Sequence, residues 1–243
     1  MAHSLKYRRV LLKLSGEALR GKTSEMLDSA ELNRIVSDII SALDLGAQIG
    51  IVVGGGNIFR GERLAQAGID RITGDQMGML ATIINALALR DAFDKHKKVA
   101  KIMSAIPIAG FVPYFERYKA IHYLEKGYIV IFAGGTGNPL VSTDSAASLR
   151  GIEIGAELLL KATHVDGIYS ADPNKDSKAI LYSAISYEKV LEQELGIMDL
   201  AAFTQCRDHD LPLLVFNIKC KNALLDILQG KSKGTLVTKR NKI

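Results

Sequence analysis

Three short stretches hold the residue types that handle phosphate. They are Lys13-Leu14-Ser15-Gly16, Gly54-Gly55-Gly56-Asn57 with Arg60 beyond it, and the run from Gly134 to Asp144. Glycine has no Cβ, so successive backbone N–H groups can converge on oxyanions. A helix that starts after such a loop adds its positive end. A second lysine, Lys161, lies at the end of a later apolar run, and Asp144 follows the third loop directly. Phosphoryl transfer asks for positioning and charge neutralisation more than for covalent chemistry. Lys13 and Lys161 can neutralise charge. Asp144 can orient a lysine or hold Mg2+ through water, or it can simply cap the helix that begins Ser145-Ala146-Ala147. Asp172, ahead of Pro173, reads by itself as a turn residue.

Other chemistries lack their signatures. There is no Gly-x4-Gly-Lys-Ser/Thr loop, no Gly-x-Gly-x-x-Gly after these strands, no His-Glu-x-x-His helix and no Gly-x-Ser-x-Gly elbow. The five histidines show no paired spacing, and the two cysteines, Cys206 and Cys220, match no metal or redox spacing. No apolar run reaches the roughly 18 residues of a membrane span. Only Val10-Leu11-Leu12 separates the basic start from Lys13, too little for a secretory signal, so a cytoplasmic location is expected. The net charge of +5 is concentrated in residues 219–243, where seven basic residues face one acid. With no Trp and few aromatics for base stacking, that end reads as a solvated basic segment rather than a nucleic-acid site.

The elements that must position these loops alternate along the 243 residues. Strands are expected at 7–14, 48–53, 99–103, 128–132, 157–162, 180–185, 213–216 and 235–237. Helices are expected between them. One starts at an Asp28 N-cap with Glu31 completing a capping box, and carries Leu32, Ile35, Val36, Ile39, Ile40 and Leu43 on one face. Another spans 77–96, with Met79, Leu80, Ile83, Ile84 and Leu87 on one side. The rest lie at 115–126, 144–154, 187–195, 199–209 and 222–228. Such alternation predicts an α/β fold with a largely parallel, helix-covered sheet. Ligands of such sheets bind outside the carboxyl ends of the strands, where all three loops fall.

Taken in order, Lys13–Gly16, Gly54–Asn57, Thr143–Ala147 and Val165–Pro173 resemble the amino acid kinase family. Gly74–Thr82, Gly135–Pro139 and Met198–Phe203 are similar, within it, to the bacterial UMP kinases. The likeness runs from about Arg8 to Thr238. It implies a three-layer αβα sandwich with a central, mostly parallel sheet, and transfer of the ATP γ-phosphoryl group to UMP with Mg2+, in a homo-oligomer, usually a hexamer. It also implies one domain with an acceptor lobe over about 1–160 and an ATP lobe over about 161–243. By motif, Lys13, Leu14, Ser15, Gly16, Gly56 and Arg60 would hold the ATP phosphates, and Thr163, Tyr169 and Asp172 the adenosine. Gly55 and Asp75 would bind UMP, Asp75 on the ribose hydroxyls. Thr136, Gly137, Asn138, Pro139, Leu140, Val141, Ser142 and Thr143 would wrap its phosphate and base. Lys13, Asp144 and Lys161 would form the catalytic set, with no protein-only metal site.

The likeness lapses in two places. Residues 21–28 lack the Gly-Phe-Gly-Ile element that many relatives carry in a segment tied to GTP regulation. Leu140-Val141 stands where the family often has aromatics. The competing readings are a family member that phosphorylates a carboxylate, such as acetylglutamate or glutamate, and a nucleotide-sensing module without turnover. Asp75 in the Gly74–Thr82 motif suits a ribose diol and favours UMP. Retention of Lys13, Asp144 and Lys161 favours catalysis.

Overall fold

The computed structural model describes residues 5–21, 25–59, 61–173, 175–176 and 178–239. In chain order the elements are β1 (Arg9–Leu14), a 3-10 turn (Gly16–Leu19), α1 (Ser29–Leu43), β2 (Gln48–Val53), α2 (Gly61–Gln66), α3 (Arg71–Lys95), β3 (Ala100–Ser104), α4 (Arg117–Glu125) and β4 (Ile129–Ala133). The chain continues through α5 (Thr143–Glu153), β5 (Leu158–Thr163), β6 (Ala184–Ser186), α6 (Tyr187–Glu192), α7 (Leu200–Asp208), β7 (Leu213–Asn217), α8 (Ala223–Leu228) and β8 (Thr235–Thr238). The eight strands form one sheet in the order β3-β4-β2-β1-β5-β7-β8-β6. Every pairing is parallel except β7 with β8.

The strand order explains the layers. From β1 the chain steps outward through β2 to β3, and its helices α1 and α3 cover one face. It then turns back through β4 and crosses β1 to reach β5, and α4 and α5 cover the other. Right-handed crossovers require this change of face when the direction of travel reverses. α8 joins the first layer, and α6 and α7 the second. The strands are buried on both sides, as the near-continuous apolar runs predict.

Alternation along each strand sorts its side chains between the two cores. Val10, Leu12 and Leu14 point into the α1–α3 layer, and Leu11 into the α4–α7 layer. Lys13 shares the parity of Leu11 and therefore projects toward α5. On β5, Leu158 and Leu160 face the first layer and Leu159 the second, so Lys161 also projects toward α5.

Three expectations need correction. α3 begins at Arg71 rather than near Met77, because Asp70 caps it by accepting from Ile72 N and Thr73 N. Leu80 and Ile84 do not pack inward. They are 48% and 47% exposed, while Met79, Ala81, Ile83 and Ala86 turn to the core. Asp28 does cap α1, but Glu31 does not close a reciprocal box; its carboxylate accepts from Arg34 Nε at 2.8 Å.

Candidate active site

β1 and β5 are where the chain's direction reverses, the place where open α/β sheets form a ligand crevice. Lys13 and Lys161 are register partners across that junction. Two ammonium groups side by side repel one another, and Asp144 answers both. Its Oδ1 lies 2.7 Å from Lys13 Nζ and its Oδ2 2.6 Å from Lys161 Nζ. The Lys13 contact is an ion pair whose angles make no directed hydrogen bond. Asp144 Oδ1 is thus buried without a directed donor among the described residues. Lys161 also donates to the carbonyl oxygen of Ile197. Burial pushes the Lys161 ammonium below the usual lysine range; the Lys13 charge adds to this and the Asp144 carboxylate opposes it.

Asp144 sits in the first turn of α5, which is capped not by Asp144 but by Ser142. Ser142 Oγ accepts from Asp144 N and Ser145 N, and its hydroxyl donates to Asp199. Asp199 Oδ1 also accepts from Ser145 Oγ at 2.8 Å and from Ala202 N at 2.8 Å. Burial alone would raise the Asp199 carboxyl. The bonds from Ser142, Ala202 and Ser145, with the Lys161 charge, hold it below the carboxylate range instead. The 197–199 segment therefore buttresses both Lys161 and the start of α5, and it had no assigned role in the sequence.

The glycine loops close around this centre. After β1, Ser15 caps the short 3-10 turn by accepting from Ala18 N. A Cβ on Gly16 would stand 2.3 Å from Asn57 Oδ1 and 2.8 Å from Gly56 N, so the first two loops touch only because Gly16 has no side chain. A Cβ on Gly55 would stand 2.7 Å from the carbonyl oxygen of Gly78, so this loop lies flush on α3. Asp75, on the first turns of α3, accepts from Arg71 Nε at 3.1 Å and from Leu140 N at 2.8 Å.

Two cavities flank the lysines. On the β2–β4 side, a cavity of about 170 Å3 is lined by Gly55, Gly56, Asp75, Asn138, Val141 and Thr143, with Phe59, Met79 and Thr82. Of the remaining 136–143 residues, Leu140 is exposed with a left-handed backbone (φ 67°). Gly137 packs beside Ala105, and the Thr136 hydroxyl accepts from Asn138 N. Pro139 is half-buried, and Ser142 serves as the cap of α5. On the β5–β7 side, a cavity of about 380 Å3 is lined by Asp166, Leu181, Phe216, Asn217, Cys220 and Lys233 among others. Thr163 ends β5 beside it, its hydroxyl donating to the Phe216 and Val165 carbonyls. Tyr169 pairs with Leu181 through an isolated bridge, and Asp172 is exposed farther out. Arg60 falls outside the described residues. A larger cavity of about 670 Å3, lined by Lys6, Tyr7, Pro212 and Thr238 among others, lies at the opposite ends of the strands, away from this chemistry.

The residues fit Mg2+ as it travels with a nucleotide. No cluster of three or more His, Cys, Asp or Glu able to hold a metal occurs among the described residues. Mg2+ asks for one or two carboxylates beside phosphate oxygens and water. Asp144 offers one such carboxylate; with its oxygens 2.7 Å and 2.6 Å from the two ammoniums, it would reach the ion through water.

Two lysines and a carboxylate at the switch point, with glycine loops on either side, define a phosphoryl-transfer site on a sheet of this order. The chain belongs to the amino acid kinase family, whose signature matches residues 8–217. Among its relatives is the uridylate kinase of Coxiella burnetii, 59% identical over 231 residues and covering 95% of each chain. Another is the uridylate kinase of Saccharophagus degradans, 52% identical and covering 96% of this chain and 94% of that one. The crystal structure of UMP kinase from Bacillus anthracis superposes with a TM-score of 0.94 at 40% identity, covering 96% of both chains.

Proposed function

We propose that this protein transfers the γ-phosphoryl group of ATP to UMP, giving UDP and ADP. The observation that carries the reading is the pair of adjacent ammoniums, Lys13 and Lys161, joined by Asp144 between two cavities. The smaller cavity, with Asp75 and the loop after β4, takes UMP. The larger, at the ends of β5 and β7, takes adenosine. A 170 Å3 cavity is below the roughly 300–1,000 Å3 of sites that enclose a whole ligand. UMP therefore enters by displacing the 136–141 loop and the Arg71 and Leu140 contacts to Asp75, which frees that carboxylate for the ribose hydroxyls.

The acceptor is a phosphate monoester with a second pKa near 6, so it is mostly a dianion at neutral pH. It needs no general base. One of its oxygens attacks the γ-phosphorus; a P–O bond forms there while the bond from that phosphorus to the β–γ bridging oxygen breaks. ADP leaves with the electron pair. The obstacle is repulsion between two anions, and fixed positive charge at the point of transfer lowers it. Lys13 and Lys161 supply that charge from rigid strands, and the amides of the loops after β1 and β2 add to it. Asp144 would hold Mg2+ through water, and the ion would supply further neutralisation of phosphate charge.

α3 exposes Ile72, Leu80 and Ile84. This apolar stripe supports association with further copies of the chain, in the hexamer that the family resemblance implies. Light scattering of wild type and a Leu80→Glu, Ile84→Glu variant checks it, with loss of the oligomer expected in the variant.

The function is tested by ADP release with Mg-ATP and, in turn, UMP, CMP, dUMP, AMP, GMP, acetylglutamate and glutamate. Turnover with UMP far above the others is expected. Turnover with an acyl acceptor and none with UMP would overturn the acceptor assignment.

A further inference from the structure

α3 carries two buried polar side chains, and the polarity of both is spent on the phosphate loops. Thr82 is 2% exposed, and its hydroxyl accepts from Gly134 N at 2.7 Å while donating to the Met79 carbonyl at 2.6 Å. Gly134 is the first residue after β4 and opens the loop that runs to Thr143. Asn85 is 0% exposed, and its amide donates to the Gly54 carbonyl at 2.7 Å and to Asn57 Oδ1 at 2.7 Å. Its own Oδ1 accepts from Asn57 Nδ2 at 3.1 Å. Asn57 carries the connection onward, donating to the Met26 carbonyl at 2.7 Å and standing where a Cβ of Gly16 would be.

Thr82 and Asn85 lie three apart on one helix and face the sheet together. A buried polar residue costs stability unless its partners are met. These two have partners: the Gly134 amide in the loop after β4, and the Gly54 carbonyl and Asn57 side chain in the loop after β2. The helix itself is rigid, being packed through Ile83, Ala86 and Leu89.

We propose that Thr82 and Asn85 are positioning residues that hold the base of the loop after β4, at Gly134, and the loop after β2 in one fixed relation, so that the acceptor and donor phosphates meet in line. The proposal rests on the phosphoryl-transfer reading above. The two residues differ in what they reach. Outside its own helix, the Thr82 hydroxyl bonds to the Gly134 loop, which serves the acceptor. Asn85 touches the Gly54–Asn57 loop, whose Gly55 and Gly56 serve acceptor and donor together, and through Asn57 it reaches the Gly16 loop.

The test is steady-state kinetics with both substrates varied, for wild type, Thr82→Ala, Thr82→Ser and Asn85→Leu, with thermal unfolding alongside. Leaving a buried donor without its partner predicts about a tenfold rise in KM for UMP in Thr82→Ala, with KM for ATP within about twofold. Thr82→Ser keeps the oxygen and restores KM for UMP to near the wild-type value. Asn85→Leu lowers kcat about tenfold or more and raises both KM values. Should Asn85→Leu not fold, the Thr82 pair decides the matter alone. Lowered melting temperatures with KM and kcat unchanged, or equal effects of Thr82→Ala on both substrates, would overturn the proposal. The wild-type reaction in the same series separates the two readings: an inactive wild type refutes the function, whereas an active wild type with unaltered variants refutes only the clamp.

Discussion

Replacing Lys13 by methionine removes one ammonium while keeping a side chain of similar length. The structure sets the size of the effect. Lys13 is 9% exposed and fixed on a central strand, so its charge acts at close range and little screened by solvent. A unit charge about 4 Å from charge developing on the transferred group is worth about 4 kcal/mol at an effective dielectric near 20. At about 1.4 kcal/mol per decade, kcat falls roughly 10^3-fold. In the proposed reading the β4 loop and Asp75 hold UMP, so its KM is expected to change by no more than about threefold. Folding is affected less, because Asp144 keeps Lys161 at 2.6 Å and so is not left as an unpaired charge. The assay is ADP release with both substrates varied, with thermal unfolding as the control. A Lys13→Met protein that keeps its kcat and loses only affinity for UMP would refute the electrostatic role given to this lysine.

Three more outcomes follow from particular contacts. Burial lowers the pKa of Lys161, so its cationic form is lost at lower pH than an ordinary lysine's. The alkaline fall of kcat should therefore begin below the usual lysine range, as a pH–rate profile will reveal; activity undiminished up to pH about 10.5 contradicts it. Gly16→Ala places a methyl 2.3 Å from Asn57 Oδ1 and 2.8 Å from Gly56 N, forcing the first two loops apart. Its kcat/KM for ATP should drop at least about tenfold, and wild-type kinetics would show that the loops tolerate separation. Tyr187→Phe removes a 2.6 Å bond from the buried hydroxyl to the Leu211 carbonyl, a bond that does not involve the two lysines or Asp144. Urea unfolding should register a loss of about 1–3 kcal/mol with kcat unaltered; a fall in kcat would place this residue in the catalytic network.

Much of the architecture was legible because both faces of the sheet are buried. Runs such as Gln48–Val53 and Leu213–Asn217 are apolar throughout and bounded by turns, so they read as strands within a residue of their limits. The strand expected over 180–185 was less so. Only Ala184–Ser186 joins the sheet, while Leu181 makes a lone bridge to Tyr169. α3 was the hardest element. Its first turns, Arg71 to Gln76, carry little apolar periodicity, and its start is set by the Asp70 carboxylate. Leu80 and Ile84 share an apolar side with Met79 and Ile83 in the sequence yet are exposed, whereas the polar Thr82 and Asn85 are buried. Hydrophobic pattern cannot find side chains whose burial depends on hydrogen-bond partners distant in the chain.

The site shows the same division. Glycine content and spacing marked the loops, because only glycine permits the close approaches at Gly16 and Gly55. The adjacency of Lys13 and Lys161 was not legible, since it follows from β5 crossing back to lie beside β1. Asp144 could be read as a cap or as a lysine partner. The structure makes Ser142 the cap and turns the Asp144 carboxylate to both ammoniums. Asp199 stood in a recognisable motif with no role attached. Its part in holding Ser142 and Ser145 appears only once α7 is seen against α5.

The most direct test follows the phosphorus atom itself. ATP labelled in its γ-phosphoryl group is incubated with the purified protein, Mg2+ and UMP, and the products are separated and their phosphorus signals assigned. The account predicts UDP carrying the label on its β-phosphorus, in amounts equal to the ADP formed. Label released as inorganic phosphate, or ATP left intact in the presence of UMP, would contradict it.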